Sequence, residues 1–311
     1  MTDTLTIGIR FALYVNLMLL FGLPLFGLYA LKGAERLHGN VLPLRALAIC
    51  LSVMALGLSV ISIIAMTASM AGVSLLEVDR ASVNMMISET PMGSAWQARI
   101  AALFLTLYIA IAMGGRKTPV WLVLVSLGSG AALASLAWTG HGAASEGIAG
   151  TRHLIADIVH LIAAGAWIGA LAGLGALLFR PAKTMSQDHL QITHRALEGF
   201  SIVGTVIVAL IVISGLVNSW ILVGPEHLLS MGSTLYGQLL IAKLVLFGAM
   251  LGLAAANRFR LTPALDQAVK GGGPLPAISR LRLSIIYETF AAFVILGLVA
   301  WLGTLEPPMS M

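Results

Sequence analysis

Three ionisable side chains in an otherwise apolar stretch are the residues best suited to chemistry. His153, Asp157 and His160 follow one another at spacings of four and three residues. On an α-helix these spacings place all three on one face. Imidazole and carboxylate together suit a divalent transition metal, and copper has the highest affinity for such ligands. The pattern therefore predicts a metal-binding face on this helix.

The spacing also divides this face into parts. His153 and His160 are separated by about 10 Å along a helix axis, too far to bind one ion without help. Asp157 can share a site with either histidine, and His141, in a glycine-flanked turn before the helix, could complete it. We therefore expect two separate ion-binding positions along this face, here called stations, rather than one site. The alternative to metal binding is a purely structural role for these residues. His153 would then lie at the membrane interface, a basic residue would neutralise Asp157, and His160 would form a hydrogen bond to another helix.

Methionine supplies a second signal. Met66 and Met70 end a long apolar segment, and four further methionines lie in or beside the following connections, namely Met85, Met86, Met92 and Met231. Thioether sulfur is a soft ligand that favours Cu(I), so one interpretation is a collective role in passing on this ion. Ordinary apolar packing is the other interpretation.

Other polar residues lie within apolar segments. Lys243 falls at a depth similar to that of Asp157 and could neutralise its charge. Asn218 and Glu288 are candidates for lining a polar path through the protein. Hydrogen bonding between helices is the alternative role for these last two residues.

The composition places these side chains in a membrane. Of 311 residues, 59% are hydrophobic and 10% charged, against roughly 45–50% and about 25% in soluble domains. These values exclude an ordinary soluble protein. The net charge of +5 is typical of cationic loops in a membrane protein, so we expect a lipid bilayer and no nucleic acid as partner. The lone Cys50 excludes disulfides and cysteine-rich metal motifs.

Eight apolar segments are each long enough to cross a hydrocarbon core of about 30 Å. They are residues 8–31, 44–71, 92–114, 119–139, 152–179, 195–222, 234–256 and 282–304. We predict an all-α polytopic membrane protein with one transmembrane domain, residues 1–311, in which 1–140 holds helices one to four and 141–311 helices five to eight. A short surface helix is expected within residues 73–91. Close helix packing is expected along the stripe formed by Gly165, Gly169 and Gly173.

Lysine and arginine set the expected orientation. Thirteen of them follow segments one, three, five and seven, whereas four lie in or beside the connections on the other side. Cationic loops stay in the cytoplasm, so both termini are expected outside, in the periplasm of a Gram-negative cell. The expected location is the bacterial inner membrane.

Six runs, mostly in the C-terminal 170 residues, together resemble a known family. They are GHG at 140–142, RHLIADIVHLIAAGAWIGAL at 152–171, SGLVNSWILVG at 214–224, YGQLLIAKLVLF at 236–247, AANRFRLTPAL at 255–265 and IIYETFAAFVILGLVAWLGTLEPP at 285–308. The D-x-x-H pair with its W-x-G-x-L continuation is the most specific, followed by N-R-F-R-L-T-P. These runs resemble the copper-resistance D (CopD/PcoD) family of bacterial inner-membrane proteins.

The resemblance implies an eight-helix protein that works with a separate periplasmic copper-binding protein of the CopC type in copper uptake or tolerance. It also implies copper ligands near the outer face, which map here onto His141, His153 and His160, with Met66 and Met70 as further ligands. The expected substrate is a copper ion, as Cu(I) or Cu(II), and the expected class is a transporter rather than an enzyme.

Two other functional classes of protein are also consistent with the sequence. A haem-binding membrane oxidoreductase, or a porphyrin-handling protein, would use the same histidines as axial ligands of haem b. A structural or assembly subunit would carry the polar stripe with no ligand of its own. An absorption spectrum and an elemental analysis of one purified sample separate copper from haem.

Overall fold

Eight long helices make up the fold. The computed structural model describes residues 2–37, 41–114, 118–140, 147–180, 187–224, 226, 231–270 and 275–306. In these ranges all regular structure is helical, and eight helices are long and apolar enough to cross a membrane, as predicted. They are α1 (Thr2–Ala30), α3 (Leu44–Ala71), α5 (Pro91–Ala112), α6 (Val120–Ala134) with a 3-10 turn (Ser135–Thr139), α7 (Gly147–Leu178), α8 (Gln187–Val223), α9 (Leu235–Ala256) and α11 (Leu275–Leu302).

Hydropathy located these helices but misplaced several of their ends. α7 begins at Gly147 instead of residue 152, and α11 begins at Leu275 instead of residue 282. The cause is that apolar residues mark only the part of a helix that crosses hydrocarbon, whereas backbone hydrogen bonding continues into polar residues. Asp157 therefore lies about 15 Å along the helix axis from the first residue of α7, and His160 about 20 Å from it.

Three shorter helices connect the long ones. They are α2 (Ala34–Leu37), α4 (Arg80–Glu89) and α10 (Thr262–Lys270). α4 is the short helix expected within residues 73–91. Its N-cap is Asp79, whose carboxylate accepts hydrogen bonds from the backbone N–H (2.7 Å) and the hydroxyl of Ser82. These bonds, the backbone one first, hold the pKa of Asp79 below its usual value, so the cap stays ionised and fixes the start of α4.

α9 ends in a π-helical turn, Asn257–Leu261, and α10 continues directly from it. In this turn the N–H of Thr262 donates to the carbonyl of Asn257, five residues earlier. Such single turns of π-helix frequently mark functional positions. The turn coincides with the N-R-F-R-L-T-P run.

α1 and α7 pack against each other through glycines. A Cβ atom on Gly22 of α1 would overlap the carbonyl oxygen of Gly165, and one on Gly169 of α7 would overlap the backbone of Gly22. Gly173 packs directly on the ring of Phe26. The predicted role of this stripe in close helix packing is confirmed. Since α1 occupies this face of α7, the polar face of α7 is left for contacts with α8.

The start of α1, the end of α6 and the end of α11 meet at one end of the bundle. Arg10 of α1 donates to the carbonyl of Thr139 at 3.4 Å and packs against Gly303, which follows α11. We call this the terminal end. At the opposite end, Arg195 of α8 forms an ion pair of 2.6 Å with Glu35 of α2.

Gly169→Ala is expected to destabilise the protein, because the added methyl group collides with the backbone of Gly22. Overpacking of this kind costs about 1–3 kcal/mol. The control is Gly175→Ala on the same helix, where the nearest atom to a new Cβ is Ile285 Cγ2 at 3.8 Å. The control variant should be neutral or slightly more stable, since alanine favours helix. Thermal unfolding of both variants in one detergent gives the answer, and equal midpoints would contradict the packing argument.

Candidate functional site

The polar face of α7 lies against α8 near the terminal end. Asp157 Oδ1 accepts a hydrogen bond from Asn218 Nδ2 of α8 at 3.4 Å. Asp157 Oδ2 lies 3.9 Å from the position of a Cβ on Gly140. Gly140 is the last residue described before His141, which itself lies outside the described residues. The structure thus brings together Asp157, Asn218 and the end of the segment that leads to His141.

Two cations act on the carboxylate of Asp157. Lys243 of α9 and Arg10 of α1 both interact with it electrostatically. Within the described ranges neither comes within the 4 Å of a direct ion pair. The sequence pattern singled out Lys243 as a partner of Asp157. Arg10 contributed only as one of the four lysine and arginine residues counted on the outer side. The sequence feature that could have identified Arg10 is its position as the single charged residue within the first apolar segment.

His160 has a defined hydrogen-bonding arrangement. Its Nδ1 lies 3.0 Å from the hydroxyl oxygen of Ser214 on α8, and that hydroxyl donates to the carbonyl of Leu210 at 2.6 Å. A serine hydroxyl has one proton, so when Ser214 donates it to Leu210, Ser214 accepts from Nδ1–H of His160. In the neutral imidazole Nε2 then keeps its lone pair, which is free to bind a metal ion.

A cavity of about 560 Å³, the His160 cavity, lies between α7, α8, α9 and α11. Most of its wall is apolar, and its polar side chains include His160, Lys243 and Ser219. The thioether of Met231 also lines it. This cavity therefore offers an imidazole and a thioether to one occupant, with an ammonium group nearby.

A second cavity of about 290 Å³, the Glu288 cavity, lies further from the terminal end. Glu288 is 1% exposed and accepts hydrogen bonds from Asn257 Nδ2 and, at 3.4 Å, from Ser284 Oγ. Asn257 opens the π-helical turn, and the next residue, Arg258, donates to Thr205 of α8. The N-R-F-R-L-T-P run is thus held between Glu288 on α11 and Thr205 on α8.

Among the described residues, Trp167 of α7 is the one that lines both cavities. Its indole is 3% exposed and meets the ring of Phe200 edge-on, with centroids 5.7 Å apart. The sequence offered Trp167 only as part of a W-x-G-x-L run. Its position between two cavities comes from the packing of four helices, which a linear pattern does not encode.

The remaining predicted ligands lie in different surroundings. His153 is buried, one helical turn from Asp157. Met66 lines a small cavity that also contains Arg10 and Met92, whereas Met70 is 71% exposed. Across the ranges that the structure describes, no group of three or more His, Cys, Asp or Glu side chains is arranged to hold a metal ion. A copper site built from the described residues alone therefore uses at most two such ligands, or adds groups of another kind.

Comparison with known proteins gives matches along the whole chain. The family model described as Copper resistance protein D-like, N-terminal domain, matches residues 1–151, and the model described as Copper resistance protein D matches residues 194–302. Copper resistance protein D of Pseudomonas syringae pv. tomato is 48% identical over 310 residues, covering 100% of this chain and 99% of the relative.

Two further relatives are more distant. Inner membrane protein YebZ of Escherichia coli K12 is 29% identical, with 97% of this chain and 98% of the relative covered. Copper transport protein CutJ of Bacillus subtilis 168 is 33% identical over 56% of this chain and 31% of the relative. No solved structure matches significantly.

Asn218→Leu is expected to lower the free energy of unfolding by about 1 kcal/mol, because the carboxylate of Asp157 loses its amide donor inside the bundle. A double-mutant cycle with Asp157→Ala, which removes both carboxylate oxygens, isolates this interaction. The neighbouring change Ser219→Ala is the control, since Ser219 lines the His160 cavity without bonding to Asp157. Chemical unfolding of the four variants measures the coupling, and strictly additive changes would show that the contact contributes nothing.

Proposed function

The chain belongs to the copper resistance protein D family, and from that premise we propose that it is a copper transporter of the bacterial inner membrane. It takes up a copper ion at the terminal end, which faces the periplasm, and has no catalytic residues. The observation that carries the proposal is His160, whose free Nε2 belongs to a side chain that lines a membrane-embedded cavity. The relative from Bacillus subtilis, which is named for copper transport, supports the same function.

Copper binds in two stages on the polar face of α7. The Asp157 carboxylate, oriented by Asn218, attracts the ion together with His153 and His141 at the entrance. His160 Nε2 and the Met231 thioether then hold it in the His160 cavity, since imidazole and thioether both bind Cu(I). This order agrees with the two stations that the spacing of the three residues predicts.

Lys243 and Arg10 keep this binding weak. Both cations act on Asp157 and therefore lower the attraction that its carboxylate offers a copper ion. A transport site must bind its ion strongly enough to admit it and weakly enough to release it. The two cations also balance the charge of Asp157 inside the membrane while no ion is bound.

The path onward runs past Trp167 into the Glu288 cavity. Trp167 fills the boundary between the cavities, so its indole has to move away from Phe200 for an ion to pass. Glu288 then supplies the next anionic group, positioned by Asn257 and Ser284. Both cavities lie between the same helices, which supports one continuous route.

A separate periplasmic copper-binding protein of the CopC type delivers the ion at the terminal end. The opposite end then faces the cytoplasm, in agreement with the thirteen lysine and arginine residues expected there. The family and two of its relatives are named for copper and none for haem, so haem b is not carried forward as a ligand.

Replacing His153 and His160 together by alanine is expected to lower copper binding at least tenfold, because both stations lose their imidazole. His194→Ala is the control, since His194 lies near the opposite end beside Glu198. Elemental analysis of purified protein and copper transport in proteoliposomes are the measurements. Unchanged binding in the double variant would show that copper binds elsewhere.

Glu288→Gln is expected to separate binding from transport. The amide keeps the volume of Glu288 and one acceptor oxygen for Asn257 and Ser284, which both donate to Oε1, but it removes the negative charge. Copper bound per protein should stay constant, because the His160 site is intact, while the rate of copper movement into proteoliposomes should fall at least tenfold. A normal rate would remove Glu288 from the path.

A further inference from the structure

We propose that a small monovalent anion, chloride in ordinary salt, binds between Arg10 of α1 and Arg99 of α5. The two guanidinium groups line one cavity of about 40 Å³ at the terminal end, together with Tyr14, Met66 and Met92. This cavity shares no lining residue with the His160 cavity. The anion site is thus a separate cavity from the copper path, and Arg10, which acts on Asp157, is the residue that connects the two.

Arg99 is a buried charge without a described counter-charge. It is 1% exposed, and its Nε donates to the hydroxyl of Ser135 at 2.8 Å. Its Nη2 has no hydrogen-bond partner among the described residues. Ser135 is neutral and donates its own proton to the carbonyl of Ala132. Arginine does not lose its proton in proteins, so a charge this deep in a membrane requires an anion.

Arg10 adds a second donor that lacks a partner. Its Nη1 donates to the carbonyl of Thr139, but its Nε is buried with no hydrogen-bond partner in the described part of the chain. The carboxylate of Asp157 acts on Arg10 only at longer range and is shared with Lys243. Arg10 and Lys243 thus share the Asp157 carboxylate, and no described carboxylate acts on Arg99.

The size and lining of the cavity select the kind of anion. A single water needs about 10–15 Å³, so about 40 Å³ has room for a monatomic anion with a water or two, and not for a large organic anion. Apolar side chains form most of the remaining wall, which suits a weakly hydrated halide. The two guanidinium groups repel a copper cation, so Met66 and Met92 line an anion site here.

Bromide, which scatters anomalously, identifies the occupant directly. In crystals of the full chain grown in sodium bromide, we expect an anomalous peak within hydrogen-bonding distance of Arg10 and Arg99. A water molecule at this position, or a carboxylate of this chain, would overturn the proposal.

Thermal unfolding tests whether the anion stabilises the protein in solution. The midpoint of the wild-type protein should be about 2–4 °C higher in sodium chloride than in sodium gluconate of equal ionic strength. Arg99→Gln should abolish this difference, and Arg99→Lys, which keeps the charge with fewer donors, should reduce it. Arg80→Gln, an exposed arginine on α4, is the control and should leave it unchanged. Equal midpoints for the wild type in both salts would mean an adventitious ion only, even with a bromide peak.

Discussion

The backbone contact between α1 and α7 at Gly22 and Gly169 determines where the polar side chains of α7 can lie. His160 and Gly169 are nine residues apart, which is about 900° or half a turn beyond two full turns. When Gly169 meets α1, His160 must therefore face away from it. The absence of a side chain at two glycines thus turns the polar face of α7 toward α8 and the two cavities.

Charge is the second constraint, because a membrane interior has little water to solvate an ion. The cations at the terminal end and the deeper Glu288 have different kinds of partner. Lys243 and Arg10 share Asp157, whereas Glu288 has neutral donors, Asn257 and Ser284. Away from the terminal end, positive charge gives way to the negative charge of Glu288.

Much of this fold could be predicted from the sequence, because long apolar segments in a chain have few other solutions than membrane helices. The glycine stripe and the shared face of Asp157 and His160 follow from helical periodicity alone. The first residues of the helices could not be predicted, because hydropathy does not detect helical turns that continue beyond the hydrocarbon.

The contacts between distant helices could not be predicted in the same way. Ser214, which fixes the proton of His160, lies 54 residues further along the chain. Nothing in an apolar run indicates which of its faces meets which neighbour, because these helices are hydrophobic nearly all round. For the same reason the shared position of Trp167 and the meeting of Arg10 with Arg99 became visible only in three dimensions.

The π-helical turn at Asn257–Leu261 makes this part of the chain sensitive to its exact length. Such a turn holds one residue more than an α-helical turn, so deleting a single residue there would restore a regular α-helix. Hydropathy and helix content would hardly change, yet every side chain that follows the deletion, through α10, would rotate by about 100° relative to α9. Asn257 and Arg258 could then no longer reach Glu288 and Thr205 at once. Deleting one residue at this point is therefore expected to disturb these contacts more than most substitutions nearby.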